Sequence, residues 1–120
     1  MRRLTLAFLA LCAAAGPAMA QDRSPAARRS LVDLAYTLGQ AHGLALVCDG
    51  ETQTWRARMT RLRELEAAEE AFDRQLVNGF NAGFVDAQGR FPACSRAARA
   101  ESAAVASRGR SLSRVIASAR

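Results

Sequence analysis

Few side chains in this 120-residue sequence could carry acid–base or nucleophilic chemistry. His42 is the single histidine, and histidine is the side chain best suited to proton transfer near neutral pH. No activated-serine signature surrounds any Ser or Thr, and no carboxylate lies three or four positions after His42 to suggest a metal site. The sequence therefore predicts no catalytic set, no metal and no cofactor. The alternative is a hydrolase or lyase that uses His42 with a carboxylate brought near by folding.

Carboxylates are concentrated in the middle of the chain, where they could in principle act as paired acids. Glycoside hydrolysis needs two carboxylates on either side of a cleft. Here the acidic run follows four arginines, and Glu70 and Arg74 have the i,i+4 spacing of a helical ion pair. A solvated, charged helix face is the simpler interpretation of Glu64, Glu66, Glu69, Glu70 and Asp73.

Two glycine-bounded segments, 39–43 and 79–83, suggest either helix packing or a binding strip. Each segment places two glycines on one helix face, which favours the close approach of two helices. The two asparagines nearby have no packing reason, so they are the first candidates for specificity. In the binding interpretation the strip consists of Asn78, Asn81, Phe80 and Phe84.

Positive charge is concentrated at the C-terminal end of the chain. All 17 basic residues are arginine, and residues 96–120 hold six of them against Glu101 alone. Guanidinium groups bind phosphate and carboxylate through a planar pair of donors. This segment could therefore bind an anionic partner, with Arg108, Arg110 and Arg114 as candidates. A solvated helix face explains the same charges, and both interpretations stay open.

The N-terminal residues have the three parts of a secretory signal peptide. Met1-Arg2-Arg3 is positively charged, residues 4–11 are mostly apolar, and Ala18-Met19-Ala20 is a small-x-small cleavage site. The apolar run is shorter than the roughly 20 residues that a membrane span needs. Residues 1–20 are therefore predicted to be cleaved. The mature chain would begin at Gln21, lie in the periplasm and have no transmembrane span.

Two cysteines remain after this cleavage, because Cys12 lies in the signal peptide. An even number of cysteines in a small exported domain predicts a disulfide, here between Cys48 and Cys94. A C-x-x-C redox pair is absent, since the two residues are far apart in the sequence. In the chain-entropy model, closing a loop of this length contributes about 4 kcal/mol.

Helical periodicity predicts an all-α fold, a small bundle of about four helices closed by one disulfide. Ser24 and Pro25 suit the start of the first helix within a lead-in over residues 21–30, and residues 31–120 are expected to form one domain. Apolar residues then recur at steps of three and four. They are Leu31, Leu34, Ala35, Leu38, Ala41, Ala45 and Cys48 in the first helix, Trp55, Met59, Leu62 and Leu65 in the second, Ala68, Phe72, Leu76, Phe80 and Phe84 in the third, and Ala98, Val105, Leu112, Val115 and Ile116 in the last.

The helix boundaries are less sharply defined than the helices themselves. Whether residues 52–87 form one bent helix or two stays open. In an up-down bundle the first helix ends where the fourth begins, so a bridge between Cys48 and Cys94 agrees with four helices. The boundary signals are the Asp49-Gly50 turn, a cap at Thr52 or Thr54, a loop over residues 88–92, a cap at Ser95 and an interruption at Gly109.

The order of several motifs is shared with a known family. They are Leu38-Gly39, His42, Leu44, Cys48, Trp55-Arg56, Met59, Phe80-Asn81, Gly83-Phe84, and Cys94 with an Ala- and Arg-rich tail. Over roughly residues 31–116 the chain resembles a family of small exported proteins of unknown function, found mainly in alphaproteobacteria and marked by two well-separated cysteines. The resemblance implies export and a disulfide, and nothing about chemistry. Within these motifs, His42, Trp55 and Arg56 have either a functional or a structural role.

Together these features favour an exported, non-enzymatic protein of the cell envelope. It would bind another envelope protein or an anionic envelope surface through Arg-rich faces. The export signal disfavours nucleic acid as a partner, despite the basic charge. The partner, the oligomeric state and the choice between periplasm and extracellular space stay open.

The exported chain should begin at Gln21 and contain no free thiol. An alkylating reagent should label Cys48 and Cys94 only after reduction, because an oxidising compartment preserves the bridge. Mass spectrometry of the intact exported chain measures both properties. Labelling without reduction would exclude the disulfide, and an N-terminus at Met1 would exclude cleavage.

Overall fold

The computed structural model describes residues 22–50 and 52–119. The predicted signal peptide, with Cys12, and the expected mature N-terminus Gln21 lie outside the described residues. The described part contains four helices, and no strand occurs in these two ranges. The prediction of an all-α bundle of about four helices is confirmed. The helices are α1 (Pro25–Asp49), α2 (Thr54–Glu66), α3 (Glu70–Arg90) and α4 (Arg96–Ser118).

Serine residues cap the N-termini of the two longest helices of the bundle, α1 and α4, as predicted. The hydroxyl of Ser24 accepts a hydrogen bond from the backbone N–H of Ala27 at 3.1 Å. Ser95 accepts one from Ala98 in the same way at 3.0 Å. Each bond satisfies a backbone donor that the first turn of a helix leaves free.

Left-handed residues end α1 and separate α2 from α3. Gly50 follows α1 with a φ of 64°, a conformation that glycine adopts without strain. Ala67 follows α2 with a φ of 44°, and α3 begins three residues later. Residues 52–87 therefore contain two helices and not one bent helix.

Three expected boundaries were wrong. The N-cap of α2 is Gln53, instead of Thr52 or Thr54. Helix α3 continues through residues 88–90, and α4 continues through Gly109. A single helical glycine costs only about 1 kcal/mol relative to alanine, so the neighbouring helical turns can maintain the helix through it.

Helix α1 is the centre of the bundle, because it packs against each of the other three helices. Its predicted apolar face is buried from Leu31 to Ala45. One core cluster along the first half of α1 includes Met59, Phe72, Leu76 and Ile116, and a second along the last half includes Ala87, Ala98 and Val105.

Two residues expected in the core are exposed. Leu65 is 55% exposed and Val115 is 54% exposed. Consecutive helical residues point about 100° apart, so Ile116 takes the inward position on α4 and Val115 cannot share it. Leu65 lies at the end of α2, on a side that no other helix covers.

Helix α1 is long and apolar enough to cross a membrane, judged by length and composition alone. However, 67% of its most apolar stretch is buried by the rest of the protein. A helix that is apolar around most of its circumference is typical of the centre of a bundle. The apolar character of α1 is thus accounted for by the core.

The backbones of α1 and α3 approach each other closely where the helices cross, and this crossing depends on glycine. A Cβ atom added to Gly39 would lie 2.8 Å from the carbonyl carbon of Phe80 and 2.9 Å from the backbone nitrogen of Phe84. A Cβ atom on Gly83 would lie 2.8 Å from the carbonyl carbon of Tyr36. Neither position has room for a methyl group. The packing interpretation of the glycine segments is therefore confirmed.

Helices α1 and α3 run in the same direction. Gly79 faces Val32 at one end of the crossing, and Gly43 faces Ala87 at the other.

The last residue of α2, Glu66, pairs with Arg23 before α1, and Cys94 before α4 is bonded to Cys48 near the end of α1. Successive helices therefore alternate in direction, as expected for an up-down arrangement.

The predicted disulfide joins the end of α1 to the segment before α4. The sulfur atoms of Cys48 and Cys94 are 2.09 Å apart, and their Cα atoms are 4.8 Å apart. Because α4 begins at the end of the bundle where α1 stops, the bridge requires no long connection. It encloses α2 and α3 in a covalent loop.

Gly83→Ala should strongly destabilise the fold. The added methyl would overlap backbone atoms of Tyr36, which cannot rotate away as a side chain can. Overpacking costs about 1–3 kcal/mol, and we expect the free energy of unfolding to fall by an amount near the upper end of this range. Urea unfolding followed by circular dichroism measures this change. Gly89→Ala is the matched control on the same helix, because nothing lies within 4 Å of its Cβ position.

The control should gain about 0.5–1 kcal/mol from the better helix propensity of alanine. Equal stability of the two variants would contradict the tight crossing of α1 and α3.

Candidate functional site in the α2–α4 groove

A groove of about 630 Å³ lies between α2 and α4, with α1 as its floor. Both helices pack on α1, and their backbones stay apart from each other. Among the described residues, no Cα atom of α2 lies within 8 Å of a Cα atom of α4. We call this depression the α2–α4 groove.

The deeper surfaces of the α2–α4 groove are apolar. Trp55, the only tryptophan of the chain, lines one wall and is half-buried. Leu65 leaves an apolar side chain open to solvent at the edge of the same wall. The apolar lining comprises Leu34, Leu38 and Ala41 from α1, Trp55, Leu62 and Leu65 from α2, and Val105, Ala106 and Gly109 from α4.

Four arginines line the walls above this apolar surface. Arg58 and Arg61 lie on α2, and Arg110 and Arg114 lie on α4. The guanidinium of Arg58 is placed over the ring of Trp55, 4.5 Å from its centroid. No acidic residue of the described ranges is part of the lining. We call these four residues the rim arginines.

Most of the rim arginines have no carboxylate to neutralise them. Arg61 lies 3.6 Å from Glu64, but both side chains are exposed, and such pairs contribute little. Uncompensated guanidinium groups beside a low-dielectric surface create a positive local potential. The groove is therefore suited to an anion. Within the described ranges, the rim arginines that form no ion pair are Arg58, Arg110 and Arg114.

Arg108, the remaining arginine of the predicted α4 surface, does not line the groove. Its Nη1 donates to Oε1 of Gln40 at 3.0 Å, and its Nη2 is 3.7 Å from Glu101. Gln40 is buried and donates from Nε2 to Asp86 at 3.1 Å. Burial raises the pKa of Tyr36, and the charge of Asp86 and a hydrogen bond to it raise that pKa further. This polar network joins α1, α3 and α4, and Arg108 is its member on α4.

The other half of the predicted binding surface lies on α3. Asn78 and Asn81 are exposed, and neither lines the α2–α4 groove. Phe84 is half-buried, and its ring stacks on His42 with 5.2 Å between centroids. The structure therefore does not bring the asparagines and the α4 arginines into one groove.

His42 lies in the interface between α1 and α3. It is 7% exposed, and its ring is stacked on Phe80 at 5.7 Å and on Phe84 at 5.2 Å. A substrate could reach this ring only if the two helices separated. The position gives the hydrolase or lyase alternative no support. No group of three metal-binding side chains was found within residues 22–50 and 52–119.

Arg56 is exposed and faces away from the groove. It borders a shallow depression of about 140 Å³, together with Met59, Val77 and Phe80. Of the three residues expected to have either a functional or a structural role, only Trp55 lines the α2–α4 groove.

The acidic run of the sequence forms ion pairs with arginine. The expected i,i+4 pair is present, with Arg74 donating to Glu70 at 2.8 Å. Arg63 donates two hydrogen bonds to Asp73, at 2.9 and 2.7 Å, and these bonds hold the pKa of Asp73 below its ordinary value. Arg28 lowers the pKa of Glu69 in the same way.

Glu66 departs from the expected solvated face, because it is buried. It is 6% exposed and accepts two hydrogen bonds from Arg23, at 3.0 and 2.8 Å. A buried bidentate pair leaves neither charge uncompensated, and losing one partner would be strongly destabilising. The pair fixes the residues before α1 against the last residue of α2.

The arginines predicted from the sequence to bind an anion all lie on α4, so Arg58 and Arg61, which form half of the rim, were not predicted. The available signal was spacing. Arg58 follows Trp55 by three positions, and residues three apart lie on the same side of a helix. What the spacing could not show is that α4 stays far enough away to leave this side open.

The fold and the groove define a small, disulfide-closed, all-α protein with an arginine-rimmed apolar groove. Residues 27–119 match the model of a family described as Protein of unknown function (DUF2385), and the chain belongs to that family. No curated protein matches the chain, and no solved structure matches it. The resemblance to an uncharacterised family is confirmed, whereas the export and taxonomic range that it implied stay predictions.

Arg63→Ala should raise the pKa of Asp73 towards its ordinary value and weaken the pH dependence of stability in acid. The folded-state pKa lies below the unfolded-state pKa. The contribution to the free energy of unfolding is therefore present above about pH 4 and is lost as the pH falls through the lowered pKa. An NMR titration of the Asp73 carboxyl carbon measures the shift.

Arg74→Ala is the control for this titration, because it removes the neighbouring arginine that pairs with Glu70. The pKa of Asp73 should stay lowered in that variant. A pKa that does not change in Arg63→Ala would show that the two hydrogen bonds do not form in solution.

Proposed function

We propose that this chain is an exported, non-enzymatic protein of the cell envelope that binds an anionic partner in the α2–α4 groove. One observation carries the proposal: among the described residues, an apolar groove of about 630 Å³ is lined by four arginines and by no acid. The family match assigns no activity, and the chemistry of the groove is what supports an anionic partner.

The lining selects a ligand with two properties. A ligand that covers the apolar floor and walls would stabilise the complex by roughly 25 cal/mol for each Å² of apolar surface removed from water. The rim arginines are always charged and are more weakly hydrated than lysine, so they pair readily with carboxylate or phosphate. A ligand that is both partly apolar and negatively charged satisfies both requirements at once.

Export is supported by the signal-peptide pattern of residues 1–20 and by the disulfide. A bridge between Cys48 and Cys94 persists in an oxidising compartment and is rare in the cytosol. Carboxylates and phosphates are abundant on the proteins, lipids and polymers of the bacterial envelope. The partner would therefore come from that compartment.

A binding role is also supported by the state of the side chains that could do chemistry. His42 is buried between aromatic rings. The carboxylates of the acidic run are paired with arginines, as in Glu66 with Arg23 and Asp73 with Arg63. Side chains held in such pairs act as structural contacts.

The exported chain should bind the anionic aromatic dye anilinonaphthalene sulfonate in the α2–α4 groove. Trp55 reports on occupancy, because it is the only tryptophan and lines the groove. Its fluorescence should fall as the dye binds. The double variant Arg110→Glu/Arg114→Glu should weaken binding by about tenfold or more, since two attractions become repulsions. Binding should also weaken as salt rises.

The double variant Arg96→Glu/Arg99→Glu is the matched control. It makes the same change in charge on the same helix, but neither residue lines the groove. Melting followed by circular dichroism shows that each variant is folded. Equal losses in both variants, or binding that does not respond to salt, would contradict the proposal.

A further inference from the structure

We infer that the occupant of the α2–α4 groove is an acidic, amphipathic α-helix contributed by a different protein. This inference rests on the proposed function and specifies the partner. It follows from the shape of the groove, from the positions of its charges and from the ion pairs of the chain's own acids.

The groove has the length of a short helix. Both walls are helices that run antiparallel to α1, so they are roughly parallel to each other. The α2 wall extends from Trp55 to Leu65, which is about 15 Å at 1.5 Å per residue. The α4 wall, from Val105 to Arg114, is of similar length. An incoming helix of about ten residues, or three turns, fits this length.

The rim charges are distributed along two walls and not gathered at one end. Arg58 and Arg61 lie one turn apart on α2, and Arg110 and Arg114 lie one turn apart on α4. A lipid carries its charge at one end, where a single cluster would bind it. An amphipathic helix carries carboxylates along both edges of its apolar face, which matches two facing rows of guanidinium groups.

The groove is also too open for a free acyl chain. Small-molecule sites usually bury most of the ligand surface, whereas here Leu65 stays more than half exposed at the edge. A helix needs only one face covered, because its other face is polar. Ala41, Ala106 and Gly109 are small lining residues, and they would let a helix approach to the usual 8–10 Å between axes.

A second copy of this chain does not supply such a helix. Most carboxylates on its helices lie beside an arginine of the same chain, as in Glu70 with Arg74 and Asp86 with Arg90, so its helix edges carry mixed charge and no row of acids alone. Among the described residues, only Asp22 and Asp33 form no ion pair. Two isolated carboxylates do not form a row on both edges of a helix. The partner must therefore be another protein with an acidic segment.

The test uses a capped synthetic helix of about 14 residues, long enough to be partly helical in isolation. Leucines at i, i+3, i+4 and i+7 form its apolar face, and glutamates lie on both edges. Binding to the exported chain should change the fluorescence of Trp55 and increase the peptide's helicity. A peptide with glutamine in place of glutamate should bind about tenfold more weakly, and salt should reduce this difference.

A variant that keeps the charge of the protein tests whether the peptide lies in the groove. Ala106→Phe fills the groove from α4 and should abolish peptide binding. Ala103→Phe places the same ring on an exposed position of the same helix and should leave peptide binding unchanged. Equal effects of the two variants on peptide binding would overturn the inference. Melting curves confirm that both variants fold.

Vesicles containing phosphatidylglycerol form the competing arm of the experiment. Vesicle binding that Ala106→Phe abolishes, without any binding of the acidic peptide, would overturn the helix inference and leave the proposed function standing. If the dye, the peptide and the vesicles all fail to bind in a groove-dependent way, both the inference and the proposed function fall. Peptide binding that depends on glutamate and on an open groove supports both.

Discussion

The contact between the backbones of α1 and α3 is the constraint on which the other features depend. Gly39 and Gly83 lack a Cβ, so each helix lies directly against carbonyl groups of the other. This crossing commits one side of α1 to α3 along most of its length. Helices α2 and α4 must then pack on the remaining surface of α1. Because they share that surface while no described Cα atom of one lies within 8 Å of a Cα atom of the other, a groove stays open between them. The groove is therefore a consequence of how the core is built and requires no dedicated loop or insertion.

Arginine supplies all of the positive charge of this chain, yet its side chains lie in different environments. Arg23 is buried and neutralised by Glu66, and Arg108 joins helices through Gln40. The rim arginines differ from both, because Arg110 and its neighbours border apolar surface and have little or no compensating charge. A net positive charge spread evenly would only favour solubility and weak, general attraction to anions. Its concentration beside an apolar floor makes one place on the surface distinct, and this contrast carries the functional argument.

Much of the architecture could be predicted from local sequence signals. Ser24 and Ser95 cap helices in the expected way, and the apolar face predicted for α1 is buried from Leu31 to Ala45. Signals that depend on distant partners were less informative. The burial of Glu66 depends on Arg23, 43 positions away, so neither residue could be distinguished from an exposed charge. Asn78 and Asn81 looked suited to binding because nothing in the sequence explained them, and the structure leaves them exposed on α3. The groove itself depends on the separation of α2 and α4, a distance that periodicity within each helix does not contain.

The position of the disulfide also determines how the protein responds to cutting. The bridge encloses the whole segment between Cys48 and Cys94, including the short connection at Ala67. Hydrolysis of one peptide bond anywhere in that segment produces two fragments that remain attached through sulfur. One wall of the groove lies inside this ring and the other lies beyond it, so a nicked molecule keeps both walls on one covalent framework. In a compartment that contains proteases, such a chain loses its integrity only after a second cut or after reduction.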